Sequence, residues 1–255
     1  SLPSLLTAEH AFARHARERD TPSAFVAAYH PEGLIFAPRP VPGGPTYAAR
    51  KPDGSRLLWG PAHAWAARSG DLGFTTGPWT WHAEPGAPAS RQGWFVSVWI
   101  REAEGPWKLY WDLGTPNPPE PRPPTLLPDP GQKPEGAAAP PPGPTEGLLA
   151  RDRALGLATA KHPGEAYRTF GSRELRIHRS GAFPASGLAA ALDLVGAVET
   201  PQTGRPEAAR VSAAGDLGCT RGTLLRGDQE KGAYVRLWRR EGDAWRLLLD
   251  VVVPY

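Results

Sequence analysis

The chain contains no methionine and a single cysteine, Cys219. One thiol excludes an internal disulfide framework and any cysteine-rich metal centre, so Cys219 is expected to be a small core residue. No stretch approaches the ~20 consecutive apolar residues that a membrane-spanning helix needs, and no membrane span is expected. Blocks of one charge are also missing. The net charge of +3 and the pI near 9.2 come from 29 basic and 26 acidic residues scattered along 255 positions. Without a basic arm, nucleic acid is not expected as a partner. The densest basic run, Arg236 to Arg240 around Leu237 and Trp238, alternates as a half-exposed strand would; a phosphate-binding patch is the alternative. A start at Ser1-Leu-Pro-Ser-Leu-Leu with no methionine leads us to expect that the natural start lies upstream; removal of a secretory signal or artificial trimming would each explain this, with export slightly favoured over the cytoplasm.

What is present is enough for a fold. Apolar residues make up 40% and charged residues 22%, a balance suited to globular cores, and 255 residues suit two domains better than one. Self-similarity is the strongest signal. Gly70-Asp-Leu-Gly-Phe-Thr-Thr-Gly77 returns as Gly215-Asp-Leu-Gly-Cys-Thr-Arg-Gly222. Gly93-Trp-Phe-Val-Ser-Val-Trp-Ile-Arg101 matches Gly232-Ala-Tyr-Val-Arg-Leu-Trp-Arg-Arg240, and Gly105-Pro-Trp-Lys-Leu-Tyr-Trp-Asp-Leu113 matches Asp243-Ala-Trp-Arg-Leu-Leu-Leu-Asp-Val251. The offsets fall from 145 to 139 to 138, as short insertions between strands would produce. Residues 116–144 hold thirteen of the 31 prolines and little that could pack. Proline fixes φ and lacks a donor, so this segment reads as a spacer between domains 1–115 and 145–255.

Within the first copy, an alanine-rich helix is expected from about Thr7 to Arg19, then a short helix opening at Thr21-Pro22 and placing Phe25 and Tyr29 one turn apart. A strand follows at Gly33 to Ala37, a short helical piece near Tyr47 to Arg50, and three alternating strands at Leu72 to Trp81, Gly93 to Arg101 and Trp107 to Leu113. The second copy repeats this with helices near Leu148 to Ala158 and Ser186 to Ala197. Helices first and an antiparallel sheet after them define an α+β class.

This order, with Gly-Asp-Leu-Gly-(aromatic)-Thr-Thr-Gly and a closing Trp-(Lys/Arg)-Leu-x-x-Asp strand, resembles the NTF2-like superfamily, close to its SnoaL-like and DUF4440-like members. The resemblance covers nearly everything outside the proline-rich segment. It implies two cystatin-like cones, each a curved antiparallel sheet wrapped around its N-terminal helices, with a pocket at one end. Members commonly pair through the outer sheet face, so a tandem chain is expected to be a monomer with an intramolecular pseudo-dimer. Activity does not follow from that fold.

Chemistry has few candidates. Ketosteroid isomerase, similar in fold, uses a carboxylate base with tyrosine and protonated aspartate donors; the nearest candidates here are Asp112 and Tyr110, which as i and i+2 of a strand should share a face. Asp112 matches Asp250, but Tyr110 matches Leu248. A carboxylate kept in both copies points to a structural role for both, bonding backbone amides or an arginine. The seven histidines show no metal-ligand spacing, so no metal and no cofactor are expected. Eight of the ten tryptophans lie in the first copy. Tyr29, Phe36, Trp65, Trp79, Trp99 and Trp111 are therefore candidates to line an apolar cavity, against the plainer reading of core and interface. The leading functional expectation is a non-enzymatic module binding a small hydrophobic molecule. The alternatives are an isomerase, lyase or hydrolase using Asp112 and Tyr110, and a structural interaction module.

Overall fold

A computed structural model describes residues 1–102, 105–119, 124–131, 143–198 and 200–255. The chain divides into two compact units, Ser1–Pro140 and Pro141–Tyr255.

In the first unit, α1 (Leu2–Glu18) starts five residues before the expected Thr7 cap, because Ser4 Oγ accepts from the Ser1 amine and donates to the Ser1 carbonyl, closing an earlier first turn. Its buried stripe is Leu5, Phe12 and Ala16, positions that share a helix face. Asp20 caps α2 (Thr21–Ala28) by accepting from the Ser23 amide at 2.6 Å, and Pro22 occupies the first turn, where no amide is needed. There follow β1 (Tyr29–Phe36), β2 (Pro40–Pro42), α3 (Gly43–Ala48), β3 (Arg56–Trp59), β4 (His63–Ala66), β5 (Leu72–His82), β6 (Ala89–Ile100) and β7 (Lys108–Pro116). The sheet runs β2-β1-β7-β6-β5-β3, with β4 also on β5. Phe12, Phe25, Tyr47, Trp99 and Leu109 form the core between the helices and one sheet face.

The second unit holds α4 (Glu146–Thr159), α5 (Pro163–Phe170), β8 (Gly171–Arg179), β9 (Ala185–Ser186), α6 (Leu188–Val198), β10 (Thr203–Val211), β11 (Leu217–Arg226), β12 (Gln229–Glu241) and β13 (Ala244–Pro254). Its sheet order is β10-β11-β12-β13-β8-β9, over a core of Leu148, Leu155, Tyr167, Phe170, Leu175 and Trp238. Cys219 is fully buried, and burial pushes its thiol up to about 12. Both units are α+β, but neither sheet is purely antiparallel as expected. β1 runs parallel to β7, and β8 parallel to β13. The first strand of each unit joins the last, and the intervening elements form the long crossover that a parallel pair requires.

The repeated glycines have physical causes. Gly70 and Gly215 turn at φ 66° and 67°, a left-handed conformation that costs an L side chain energy. A Cβ on Gly77 would stand 1.9 Å from the Gly60 carbonyl, and one on Gly222 2.1 Å from that of Arg205. The repeated tryptophan and threonine also meet: Trp99 Nε1 donates to Thr75 Oγ1 at 3.1 Å and Trp238 Nε1 to Thr220 Oγ1 at 2.9 Å.

Part of the proline-rich stretch, expected to have little that could pack, lies on the first unit. The Leu127 amide donates to the Pro61 carbonyl at 2.7 Å, and the Leu127 carbonyl is 2.9 Å from His10 Nε2. Residues 120–123 and 132–142 of that stretch fall outside the described residues. No helix among the described residues is long and apolar enough to cross a membrane.

Candidate functional site

Strands β1, β7 and β6 lie side by side, and their register sets Ile35, Asp112 and Ser97 in one cross-strand row. Residues in such a row share a face, here the one toward the helices. The corresponding row in the second unit, across β8, β13 and β12, is Ile177, Asp250 and Arg236. One row carries a serine where the other carries an arginine. Two residues along β8 from Ile177 stands Arg179; two residues along from Ile35 stands Ala37. These two exchanges give the paired aspartates opposite surroundings.

Asp250 is fully buried between cations. Arg179 Nη2 lies 2.6 Å from Oδ2 and Arg236 Nε 2.8 Å from Oδ1, while the Tyr167 hydroxyl donates to Oδ2 at 2.5 Å. Arg236 also reaches Asp152 at 2.5 Å, and the Tyr234 hydroxyl donates to Asp152 at 2.9 Å. Burial opposes ionisation of Asp250, but the two guanidiniums outweigh it and hold the carboxyl at about 2. Arg236 is therefore not part of the solvated strand expected from the basic run: it is 1% exposed, turned inward to join two carboxylates.

Among the described residues Asp112 has no ion-pair partner, and its one hydrogen bond comes from Ser97 Oγ, at 2.7 Å; it is 7% exposed. Desolvation dominates and the buried Glu9 carboxylate adds repulsion, so the carboxyl is pushed up to about 8 despite the serine. The structural role expected for both aspartates therefore fits Asp250 and not Asp112. The difference arises because the arginines that would partner the carboxylate are Ala37 and Ser97 in the first unit.

Where the second unit places guanidiniums, the first has a cavity of about 320 Å3. Asp112 and Ser97 line its floor; Phe12, Trp59, Trp79 and Phe95 line its sides. Trp59 is held by Glu9, whose Oε1 accepts from its indole at 2.7 Å; Glu9 Oε2 accepts from Thr75 at 2.5 Å and Trp99 at 3.1 Å. Burial raises the pKa of Glu9 above the ordinary carboxylate range despite these donors. The indole nitrogen of Trp79 is buried and has no hydrogen-bond partner among the described residues, and neither has the hydroxyl of Tyr29. Burial, with Asp112 nearby, raises the pKa of both Tyr29 and Tyr47, which keeps these phenols neutral.

The residues singled out from sequence are scattered. Trp79 and Asp112 line the cavity. Tyr29 lies behind Tyr47, ring centroids 6.3 Å apart. Trp99 is core, bonded to Glu9 and Thr75. Phe36 and Trp111 neighbour the inward Ile35 and Asp112 in sequence, and strand alternation turns them to the other sheet face. Trp65 is half-buried on β4, opposite Phe74. Tyr110 does not share a face with Asp112. Val98 pairs with Trp111 and Trp99 with Leu109, leaving Tyr110 as the extra residue of a β-bulge, stacked on Trp111 at 4.9 Å. Sequence reasoning missed Ser97, Tyr47, Arg50, Trp59 and Arg91; the Ser97/Arg236 mismatch inside a repeat block was the available signal. Among the described residues, no three His, Cys, Asp or Glu side chains converge as metal ligands.

The chain is similar to NTF2-like and cystatin-like fold proteins. One solved structure, a protein of unknown function of the DUF3225 family from Pectobacterium atrosepticum, is 12% identical over 43% of this chain and 88% of its own, TM-score 0.37. A cystatin-like domain of unknown function from Nostoc punctiforme is 20% identical over 44% of this chain and 75% of its own, TM-score 0.37. A protein described as a putative dehydratase of the NTF2-like family from Streptomyces avermitilis is 16% identical over 44% and 95%, TM-score 0.36. No family model and no curated protein matches the chain.

Proposed function

We propose that the chain is a tandem of two NTF2-like domains in which the first binds a small, largely apolar molecule and the second serves as scaffold. One observation carries this reading: a buried carboxyl with no ion-pair partner among the described residues, at the floor of an aromatic-walled cavity, at the position where the second unit ties the same carboxyl to two arginines. A buried polar group without a partner is costly, so the Trp79 N–H supplies a site for a ligand acceptor. Asp112, neutral below about pH 8, supplies a second donor.

A second reading, proton transfer of the isomerase or lyase kind, is favoured by the position of Asp112 near the neutral range, where a general acid or base works best.

The test is calorimetric titration of the full chain with naphthalene-1-acetamide, a neutral ring with one carbonyl acceptor. Saturable binding is expected up to about pH 8, weakening above it as the carboxyl ionises. Ala37→Phe, at the exposed end of the lining, should block entry without disturbing the core. Full-strength binding by that variant, or none by the parent, would overturn the reading.

A further inference from the structure

The lining of the same cavity carries an asymmetry of charge. Arg50 follows α3, and its guanidinium lies over the Tyr47 ring with 4.4 Å to the centroid. Arg91, on β6, lies over the Trp81 ring at 4.5 Å. Both line the cavity and both are exposed, so they stand at its outer end, whereas Asp112 is buried at its inner end. Among the described residues neither guanidinium has a carboxylate partner. Among the described residues lining the cavity, Asp112 is the one acidic residue. Two cations set over aromatic rings, with no carboxylate partner among the described residues, stand at the entrance to an apolar interior.

We infer that the ligand of this cavity is a small ring-bearing carboxylate, its anionic end at Arg50 and Arg91 and its ring between Phe12, Trp59 and Trp79. This rests on the binding function proposed above and adds the ligand's class and orientation. The arrangement separates recognition into zones. The outer guanidiniums offer donors that match a carboxylate, and their exposure leaves the anion partly hydrated, so it need not be carried into the interior. The aromatic walls take the ring. The Trp79 N–H remains for an acceptor on the ring's far side, and Asp112, uncharged near neutrality, does not repel the incoming anion. A carboxylate is the better match than a phosphate ester because α3, six residues long, offers no helix N-terminus to hold a dianion.

The inference is tested by comparing naphthalene-1-acetate with naphthalene-1-acetamide and 1-naphthyl phosphate on the full chain, at low and high ionic strength. The acetate should bind about tenfold more tightly than the amide at low salt, a difference expected of charge-assisted bonds at an exposed site. High salt should shrink it. Arg50→Gln and Arg91→Gln should each lower acetate affinity several-fold and amide affinity by much less, narrowing the preference for the acetate, and cooperative thermal melts show that the variants are folded. Equal binding of acetate and amide, or an acetate preference that survives both substitutions, overturns the inference while the binding function stands. A preference for the phosphate ester overturns the choice of carboxylate. If neither acetate nor amide binds, the cavity reading falls, and the inference with it.

Discussion

Asp112 and Asp250 occupy one place in the repeat and carry opposite consequences for stability. Asp112 keeps its proton in the folded chain up to about pH 8, while an unfolded aspartate loses it near pH 3.9. The folded state therefore binds more protons through that window, and the stabilisation, complete below about pH 4, is lost as pH rises toward 8. Asp250 is the reverse: held at about 2, it stabilises above the ordinary aspartate range and loses this as pH falls through about 2. Asp112→Asn should melt higher than the parent at pH 8, by about 1–3 kcal/mol, with the gain vanishing at pH 4. Asp250→Asn should cost about 3–5 kcal/mol at neutral pH, since it strands two buried guanidiniums. Thermal melts of both at the two pH values check the pair, and a destabilised Asp112→Asn would show that the carboxylate serves the fold. The alignment made the shared aspartate legible; its surroundings were not, because Ala37 against Arg179 lies outside the matching blocks and acts only through the parallel pairing of distant strands.

Among the elements, helix order, strand positions and the proline-led α2 were legible from capping and alternation. What escaped was irregular. A strand read at strict period two puts Tyr110 beside Asp112, but the bulge reverses the facing between them, as it does in the second unit, where Leu237 pairs with Leu249 and Trp238 with Leu247. The extra residue turns Leu109 inward onto Trp99 and leaves Tyr110 stacked on Trp111 and edge-on to His30, ring centroids 4.9 and 6.0 Å away. Tyr110→Ala should thus cost about 0.5–1.5 kcal/mol of stability and leave naphthalene-1-acetamide affinity unchanged. A large loss of affinity with stability intact would place the phenol in the site after all. Starting α1 at Leu2 matters too, because it supports the helix whose Glu9 fixes Trp59 in the cavity wall.

For the whole molecule, each core is drawn from its own unit: residues 5 to 109 in one, 148 to 247 in the other. Fragments 1–131 and 143–255 should each fold alone and melt cooperatively by circular dichroism, and a fragment that stays unfolded would refute this. Mixing them on a sizing column tests the pseudo-dimer expected from the sequence: co-elution supports it, separate peaks overturn it. Glu9 is close enough to Asp112 to oppose its ionisation. A molecule with an acid group at each end would force a second anion down beside this pair of buried carboxyls. On the binding mode proposed above, the cavity floor is expected to filter on molecular polarity, admitting monoacids ring-first and turning away diacids of the same length.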